Sequence, residues 1–365
     1  LKLLPYDYEE TAATAGSRVH KPDLWITFLN QGLFMVAGVL LFGLARKLFD
    51  EPVAWVTLAV LFGAELFWRF SVSGLSTLLL VVFLVGLVRL LAELDRAART
   101  GKEALLGPHG PLEAAAAAEQ PASVGGASGA WLMLLAALSG LLVGLAGLTR
   151  YSFAWLIVPV VLFVASVPAR RRGLLAAVAL GMFAVVMAPW VARNLGVSGT
   201  PFGTAGYAVL QGTSLFPGDQ LERTLYPDFS LVTLPEYWQK LWPALREIVQ
   251  SDLPRLGGSW VSAFFLVGLL VPFRNPTLGR LRWFMVGSLA LFAVVQALGR
   301  THLTTETPEV NSENLLAAFA PVVFLYGVGL FFVLLDQIAL PAAAGRFSVI
   351  GAFCLINGAP LALVY

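Results

Sequence analysis

Long uninterrupted apolar runs follow one another along most of the chain, separated by short turns rich in Arg, Lys, Gly and Pro. A helix needs roughly 20 apolar residues to cross a bilayer core, and only helices or closed barrels can cross. The runs are continuous rather than alternating, which favours helices. The pattern predicts an all-α integral membrane protein with about ten transmembrane helices, at residues 24–45, 53–69, 73–94, 130–148, 152–168, 174–192, 258–273, 283–299, 314–335 and 346–364.

Composition agrees with this pattern. Of the 365 residues, 58% are hydrophobic and 13% are charged, and the mean hydropathy is +0.78. A soluble domain usually has about 25% charged residues, so membrane lipids are the expected surroundings. The net charge of +2 is too small to indicate a nucleic-acid partner.

Basic residues in short loops set the orientation, because such loops stay in the cytoplasm when they are rich in Lys and Arg. Residues 1–23 and 193–257 are then predicted to lie outside, in a multi-pass protein of the bacterial inner (cytoplasmic) membrane. The predicted cytoplasmic set is Arg46, Lys47, Arg96, Arg99, Lys102, Arg170, Arg171, Arg172, Arg274, Arg280, Arg282 and Arg346.

The chain divides into six predicted regions. An extracytoplasmic segment (1–23), transmembrane helices 1–3 (24–95) and a flexible cytoplasmic linker (96–129) are followed by transmembrane helices 4–6 (130–192), an extracytoplasmic loop region (193–257) and transmembrane helices 7–10 (258–365). Within the loop region, the pattern from Pro235 through Val249 predicts an amphipathic helix at the membrane interface. A folded loop that caps the bundle is the alternative.

Charged residues at the ends of spans are costly, so each is a candidate site. Glu65 and Arg69 lie four residues apart and either pair on one helical face or belong to a site. Arg150 and Arg193 lie at predicted outer ends, where a guanidinium can bind a lipid phosphate with two hydrogen bonds. The alternative for both is an arginine that snorkels to the headgroups.

The densest predicted outer polar stretch runs from Arg300 to Asn314. His302 could act as an acid, a base or a hydrogen-bond donor. Glu306, Glu309 or Glu313 could act as a base or contact a sugar hydroxyl. A solvated loop in which Asn311 caps the next helix is the alternative.

An acidic patch near the start of the chain holds Asp7, Glu9 and Glu10. A carboxylate there could bind a divalent metal or act as a base, whereas a solvated chain end is the alternative. No cofactor motif is present. The single cysteine, Cys354, is interpreted as a small buried apolar residue rather than a reactive thiol. Because the chain begins with Leu1 and no signal peptide precedes the first run, we expect a fragment.

The order of several segments carries a resemblance. These are Leu41-Phe-Gly-Leu-Ala-Arg-Lys-Leu-Phe-Asp50, Arg69 to Ser76, Gly144-Leu-Ala-Gly-Leu-Thr-Arg150 with Pro159 and the Arg170–Arg172 cluster, and Ala188-Pro-Trp-Val-Ala-Arg-Asn194 followed by Gly199-Thr-Pro-Phe-Gly203. Together they resemble the multi-span GT-C type glycosyltransferases, in particular the relatives of protein O-mannosyltransferase and lipid A aminoarabinose transferase.

The resemblance implies a sugar donor carried on polyprenyl phosphate and used at the outer face. In such enzymes a carboxylate deprotonates the acceptor hydroxyl, which attacks the anomeric carbon with inversion while basic residues hold the departing lipid phosphate. Arg150 and Arg193 are the residues that match the phosphate-binding role.

The chain departs from this family at two positions. The family's acidic motif follows a first span, whereas here Asp7, Glu9 and Glu10 are the nearby acids, and Glu313 and Asn314 stand where an Arg-Tyr pair often does. A non-catalytic subunit that keeps the scaffold and binds protein partners in a larger membrane complex is therefore the alternative function. A secondary transporter ranks last, because no internal repeat is evident.

Overall fold

The computed structural model describes residues 21–106, 129–213, 216, 230, 232–271, 273, 275–301, 304, 307, 309–338 and 343–364, and every regular element in these ranges is helical. The α-helices are α1 (Lys21–Leu48), α2 (Glu51–Gly63), α3 (Glu65–Val72), α4 (Thr77–Leu106), α5 (Gly129–Thr149), α6 (Ile157–Ser166), α7 (Arg172–Ser198), α8 (Tyr207–Leu210), α9 (Leu234–Glu247), α10 (Leu253–Arg255), α11 (Gly258–Gly268), α12 (Pro276–Gly299), α13 (Ala320–Leu335) and α14 (Ala343–Val364). Short 3-10 helices at Tyr151–Leu156 and Leu316–Phe319 lead into α6 and α13, another lies at Gly203–Gly206, and a π-helical turn at Ile248–Asp252 joins α9 to α10.

In the described ranges, six helices are long and apolar enough to cross a bilayer: Asp23–Leu48, Thr77–Thr100, Gly129–Thr149, Arg172–Ser198, Pro276–Gly299 and Leu316–Leu335. The pair α2 and α3 makes a seventh span if it counts as one, and Tyr151–Ser166 and Gly345–Leu361 are shorter apolar helices. The chain is therefore an integral, multi-span membrane protein, whereas the predicted count of ten spans is not confirmed.

The predicted second span, 53–69, is not one straight helix. It breaks at Ala64, where the backbone is extended, and α2 and α3 meet there at a bend of 56°. The Trp68 indole Nε1 donates to the Phe62 carbonyl oxygen at 2.6 Å. This indole replaces one backbone donor that the break removes, which lowers the cost of the bend inside a membrane.

Two predicted loop regions contain more helix than expected. The linker predicted at 96–129 begins inside α4, which continues to Leu106, and residues 107–128 lie outside the described residues. In the 193–257 region, α7 continues to Ser198, whereas α9 (Leu234–Glu247) lies where a helix was predicted, from Pro235 through Val249.

Helix α9 has the exposure expected of an interfacial helix. Its Trp238 and Trp242 side chains are exposed and stack with ring centroids 6.1 Å apart. On another face, the Lys240 ammonium donates to the carbonyl oxygens of Ala208 and Val209 at 2.7 and 3.3 Å. The helix is therefore held to α8 while its tryptophans stay available to a membrane surface.

Separate polar contacts join the helices at the two ends of the bundle. At the predicted cytoplasmic end, the Asn275 amide donates to the Leu48 carbonyl oxygen at 3.1 Å, and Arg280 pairs with Asp95. Asp95 lies 18 residues after Thr77 on α4, which is about 27 Å along a helix. Thr77 in turn receives a hydrogen bond from Arg150 at 3.0 Å at the predicted outer end.

Glycines permit a close helix crossing between α5 and α7. A Cβ placed on Gly140 would stand 2.0 Å from the Ala179 carbonyl oxygen, and one on Gly144 would stand 2.7 Å from Val186. Small residues four apart let helix backbones approach in this way in membranes.

The most buried helix is α13, which forms the centre of the bundle. Nearly all of its side chains are buried. Its Tyr326 hydroxyl donates to the Leu278 carbonyl oxygen on α12 at 2.8 Å, which satisfies the tyrosine's polar end within the core.

Candidate functional site

A cavity of about 380 Å³ opens at the predicted outer end of the bundle. Its walls come from the α2–α3 bend, the turn between α9 and α11, the end of α12, the following loop, α13 and α14. Apolar residues, including Val60, Leu66, Leu256, Phe324 and Pro360, lie alongside polar ones, and the charged lining consists of Glu65, Arg69, Glu247, Asp252, Arg255, Arg300 and Glu309.

The α2–α3 bend brings Glu65 and Arg69 to this cavity. The Arg69 Nη1 lies 3.9 Å from a Glu65 oxygen on the same helical face, as the spacing predicts. The same nitrogen lies closer, at 2.6 Å, to Glu309 from the loop before α13. Because Arg69 and Glu309 are each close to half exposed, this pair can open to a ligand at little cost.

Arg300 forms the buried side of the cavity. Its side chain is only 9% exposed, and its Nη1 and Nη2 donate to Glu247 at 2.6 Å and Asp252 at 2.5 Å. Its Nε has no hydrogen-bond partner among the described residues. Burial raises the pKa of the Asp252 carboxyl above its ordinary value, and the Arg300 charge opposes that rise.

A second contact fixes Asp252. The Gln296 amide donates to Asp252 at 3.2 Å, while its oxygen accepts from the backbone nitrogens of Leu315 at 2.9 Å and Leu316 at 3.1 Å. One buried side chain therefore connects the cavity wall to the start of the central span.

Arg255 differs from the other two cavity arginines. Its side chain is exposed, and it makes no hydrogen bond or ion pair with any described residue. Its charge acts on Asp252 only at longer range. It is thus the guanidinium in the described part of the cavity wall that an anionic ligand could reach without displacing a carboxylate.

Arg150 lies outside this cavity, between α5 and the following 3-10 helix. Its guanidinium donates to the Ser312 carbonyl oxygen at 2.9 Å and to the Thr77 hydroxyl at 3.0 Å. Burial lowers its pKa to about 10. Its phosphate-binding role stays a prediction, and the contacts show that it also joins three separate segments of the outer end.

Arg193 lies on the exposed side of α7, also away from the cavity. Its guanidinium is 4.8 Å from the centre of the Trp190 ring, in cation–π contact. Trp190 and the neighbouring Asn194 both donate to the Tyr151 hydroxyl. Since Tyr151 follows Arg150, the two predicted phosphate-binding arginines lie in one outer region.

Glu313 and Asn311 organise the loop before α13. Glu313 accepts from the Thr301 backbone nitrogen at 2.9 Å and the Thr304 hydroxyl at 2.6 Å. The Asn311 side-chain oxygen accepts from the backbone nitrogens of Glu313 and Asn314, both at 2.8 Å. This is the local hydrogen bonding that the capping interpretation predicts.

Five predicted catalytic residues lie outside the described residues: Asp7, Glu9, Glu10, His302 and Glu306. Within the described ranges, no group of three or more His, Cys, Asp or Glu side chains could hold a metal ion. The suggested divalent metal therefore stays a prediction.

Sequence reasoning missed three charged residues of the cavity, Glu247, Asp252 and Arg255. Glu247 lies near the end of the helix predicted from Pro235 through Val249, and Asp252 and Arg255 lie just after it; no role was predicted for any of the three from the sequence. A signal was available in the density of charge and the Pro254 and Gly257-Gly258 residues after that helix, which indicate a turn toward the bundle.

Comparisons with known proteins give little further guidance. No family profile matches the chain, and no curated protein matches it. A search of solved structures finds the oligosaccharyltransferase of Archaeoglobus fulgidus, crystallised as a complex with zinc and sulfate, at 13% identity and a TM-score of 0.44. The match covers 91% of this chain and 39% of that one, so the chain spans less than half the length of that protein.

Proposed function

We propose that this chain is a membrane glycosyltransferase of the GT-C type that works at the outer face of a bacterial inner membrane. The observation that supports the proposal is the cavity at the outer end of the bundle. It combines carboxylates and guanidiniums with apolar walls in one opening of about 380 Å³. A lipid-linked sugar consists of a polar sugar, an anionic phosphate and an apolar chain. The carboxylates suit the sugar hydroxyls, the guanidiniums suit the phosphate, and the apolar walls suit the chain.

The chemistry proposed for this cavity is transfer of a sugar from polyprenyl phosphate to an acceptor hydroxyl. A carboxylate takes the hydroxyl proton, the acceptor oxygen forms a bond to the anomeric carbon, and the bond from that carbon to the phosphate oxygen breaks. Both electrons of the broken bond leave with the lipid phosphate, whose charge a guanidinium stabilises.

Two described residues suit these roles. Glu309 stands at the opening and is close to half exposed, so an acceptor can reach it when its ion pair with Arg69 opens. Arg255 has no partner among the described residues and could hold the departing phosphate. Asp7, Glu9, Glu10, His302 and Glu306 stay alternative bases, and Arg150 and Arg193 stay alternative phosphate ligands.

Polyprenyl phosphate binding tests the proposal without knowledge of the sugar. Native mass spectrometry of the protein released from nanodiscs should detect one bound polyprenyl phosphate. Arg255→Gln together with Arg69→Gln should weaken this binding at least tenfold, because each charged contact contributes about 1 kcal/mol or more. Arg171→Gln with Arg172→Gln removes the same charge from an exposed segment at the other end and should leave binding unchanged. Equal binding by all three proteins would contradict the proposal.

A non-catalytic membrane subunit is the second candidate function. Among the described cavity residues, Arg69 and Arg300 are already paired with carboxylates, so most of the lining charge is neutralised internally. Such a subunit would copurify with a protein partner in fixed ratio and retain no polyprenyl phosphate, which the same mass spectra would reveal.

A further inference from the structure

A second opening lies at the opposite end of the bundle, where the predicted cytoplasmic loops are. It is an open groove of about 510 Å³ between α1, α4 and α5. Leu40, Leu90, Leu135 and Leu142 form its apolar walls, and Trp131 stands at the start of α5 with 47% of its side chain exposed. An apolar groove with a tryptophan at its edge fits the depth at which lipid headgroups meet acyl chains.

Basic residues line one side of this groove. Arg89, Glu93 and Arg96 follow one another at spacings of four and three on α4, so they share one helical face. Glu93 pairs with Lys47 from α1 and with Arg96, whose Nη2 lies 3.1 Å away. Lys47 and Arg96 therefore share one carboxylate. With Arg89, the group carries a net charge of two positive units.

Arg89 is the residue whose position most needs an explanation. It is exposed on the span Thr77–Thr100, and its guanidinium makes no hydrogen bond or ion pair with a described residue. An arginine on the lipid-facing side of a span is costly unless something at the membrane surface receives its charge.

Gly43 on α1 makes room for this guanidinium. A Cβ on Gly43 would stand 2.8 Å from the Arg89 Nη1, so any larger residue would push the guanidinium away. The missing side chain therefore leaves space for Arg89 beside α1 and next to the apolar walls of the groove.

We propose that this groove binds one anionic phospholipid from the leaflet at this end of the bundle. Arg89 and Arg96 contact its phosphate, and an acyl chain lies along the four leucines. Basic pockets between spans on the cytoplasmic side bind such headgroups. A zwitterionic lipid carries the same phosphate together with an ammonium group that the local positive charge repels, so the site selects for net negative charge. The proposal is independent of the function of the outer cavity.

Native mass spectrometry with phosphatidylglycerol and phosphatidylcholine tests this site. The full chain, delipidated in detergent, should retain one phosphatidylglycerol at concentrations where phosphatidylcholine is lost. Arg89→Gln with Arg96→Gln should weaken phosphatidylglycerol binding at least tenfold. Arg170→Gln with Arg171→Gln removes equal charge from exposed positions at the same predicted face and should have no effect. Equal retention of the two lipids, or equal loss in both double variants, would overturn the proposal.

Gly43→Ala tests the geometry without changing any charge. The added methyl group displaces the Arg89 guanidinium, so phosphatidylglycerol affinity should fall several-fold while the protein elutes unchanged in size exclusion. Gly181→Ala is the matched control, because a Cβ there meets nothing within 4 Å. If Gly43→Ala binds phosphatidylglycerol as tightly as Gly181→Ala, the role given to the space beside Gly43 is wrong.

Discussion

Two charged networks at opposite ends of the bundle differ in their exposure to solvent. At the predicted cytoplasmic end, the fully buried Asp95 accepts from the Arg99 Nε at 2.9 Å, the Thr277 hydroxyl at 2.8 Å and the Arg280 guanidinium. At the outer end, Arg69 and Glu309 are close to half exposed around an open cavity. The closed network fastens α4 to α12, whereas the open one leaves charged groups within reach of a ligand.

This difference follows from desolvation. A carboxylate removed from water must recover its hydration through several good contacts, and Asp95 has three. Arg69 and Glu309 keep part of their hydration, so their pair contributes little to stability and can exchange partners. Ligands are therefore expected at exposed charged groups such as Arg69 and Glu309 and not at the closed Asp95 network.

The largest expected effect comes from Asp95→Ala. This change removes the shared partner of Arg99 and Arg280 and should lower the free energy of unfolding by about 3 kcal/mol, because a broken buried pair leaves charge uncompensated. Unfolding in mixed detergent micelles, followed by circular dichroism, measures it. Glu309→Gln at the outer end should cost less than about 1 kcal/mol. Similar losses of unfolding free energy in Asp95→Ala and Glu309→Gln would contradict the difference between the two networks.

A smaller effect is expected from Gln296→Leu, which tests whether the wall behind the outer cavity is rigid. The change leaves the Leu315 and Leu316 backbone nitrogens without their acceptor and should cost about 1–3 kcal/mol. Thermal unfolding in detergent checks it. Ser288→Ala on the same helix removes a buried hydroxyl with no partner among the described residues and should be neutral or slightly stabilising. If Gln296→Leu leaves the stability unchanged, the wall behind the cavity tolerates the loss of its hydrogen bonds as readily as the opening tolerates the loss of its ion pair.

A further expected effect is the pH dependence contributed by Lys240. Burial lowers its pKa from 10.5 to about 8, and the nearby Glu313 opposes the change. Between these values the unfolded chain binds more protons than the folded one, so stability rises as pH increases from about 8 to 10.5.

Lys240→Met lacks this titration and provides the comparison. The melting temperature of the unmodified protein, relative to that of the variant, should increase across this pH window and stay level below it. Parallel curves would indicate that the carbonyl contacts of Lys240 fully compensate its burial at the outer end.

Hydropathy predicts the presence of the long helices well but predicts their ends poorly. The helix predicted at 283–299 begins seven residues earlier, at Pro276, because Asn275 caps it and Arg280 finds a partner in Asp95. Residues 276–282 were predicted as a loop because they contain charged residues. A helix can nevertheless continue beyond the bilayer when its charges are paired.

The candidate site was predicted only where its residues are close in sequence. Glu65 and Arg69 share a helical face, and their proximity follows from spacing alone. Glu309 lies 240 residues from Arg69 in the sequence, and Asp252, which pairs with Arg300, lies in a π-helical turn. No local pattern encodes such contacts, since they depend on how the spans pack.

The bond from the Trp68 indole to the Phe62 carbonyl oxygen has a consequence for mutational tolerance. In a saturation library, most substitutions of Trp68 should be lost. Phenylalanine should be lost as well, although its shape is similar, because only a side chain with a hydrogen-bond donor can replace the missing amide. Position 72, where Val72 is 58% exposed on the same short helix, should accept most apolar residues. The bend would then be recognised from one position that tolerates few substitutions and a nearby position that tolerates many.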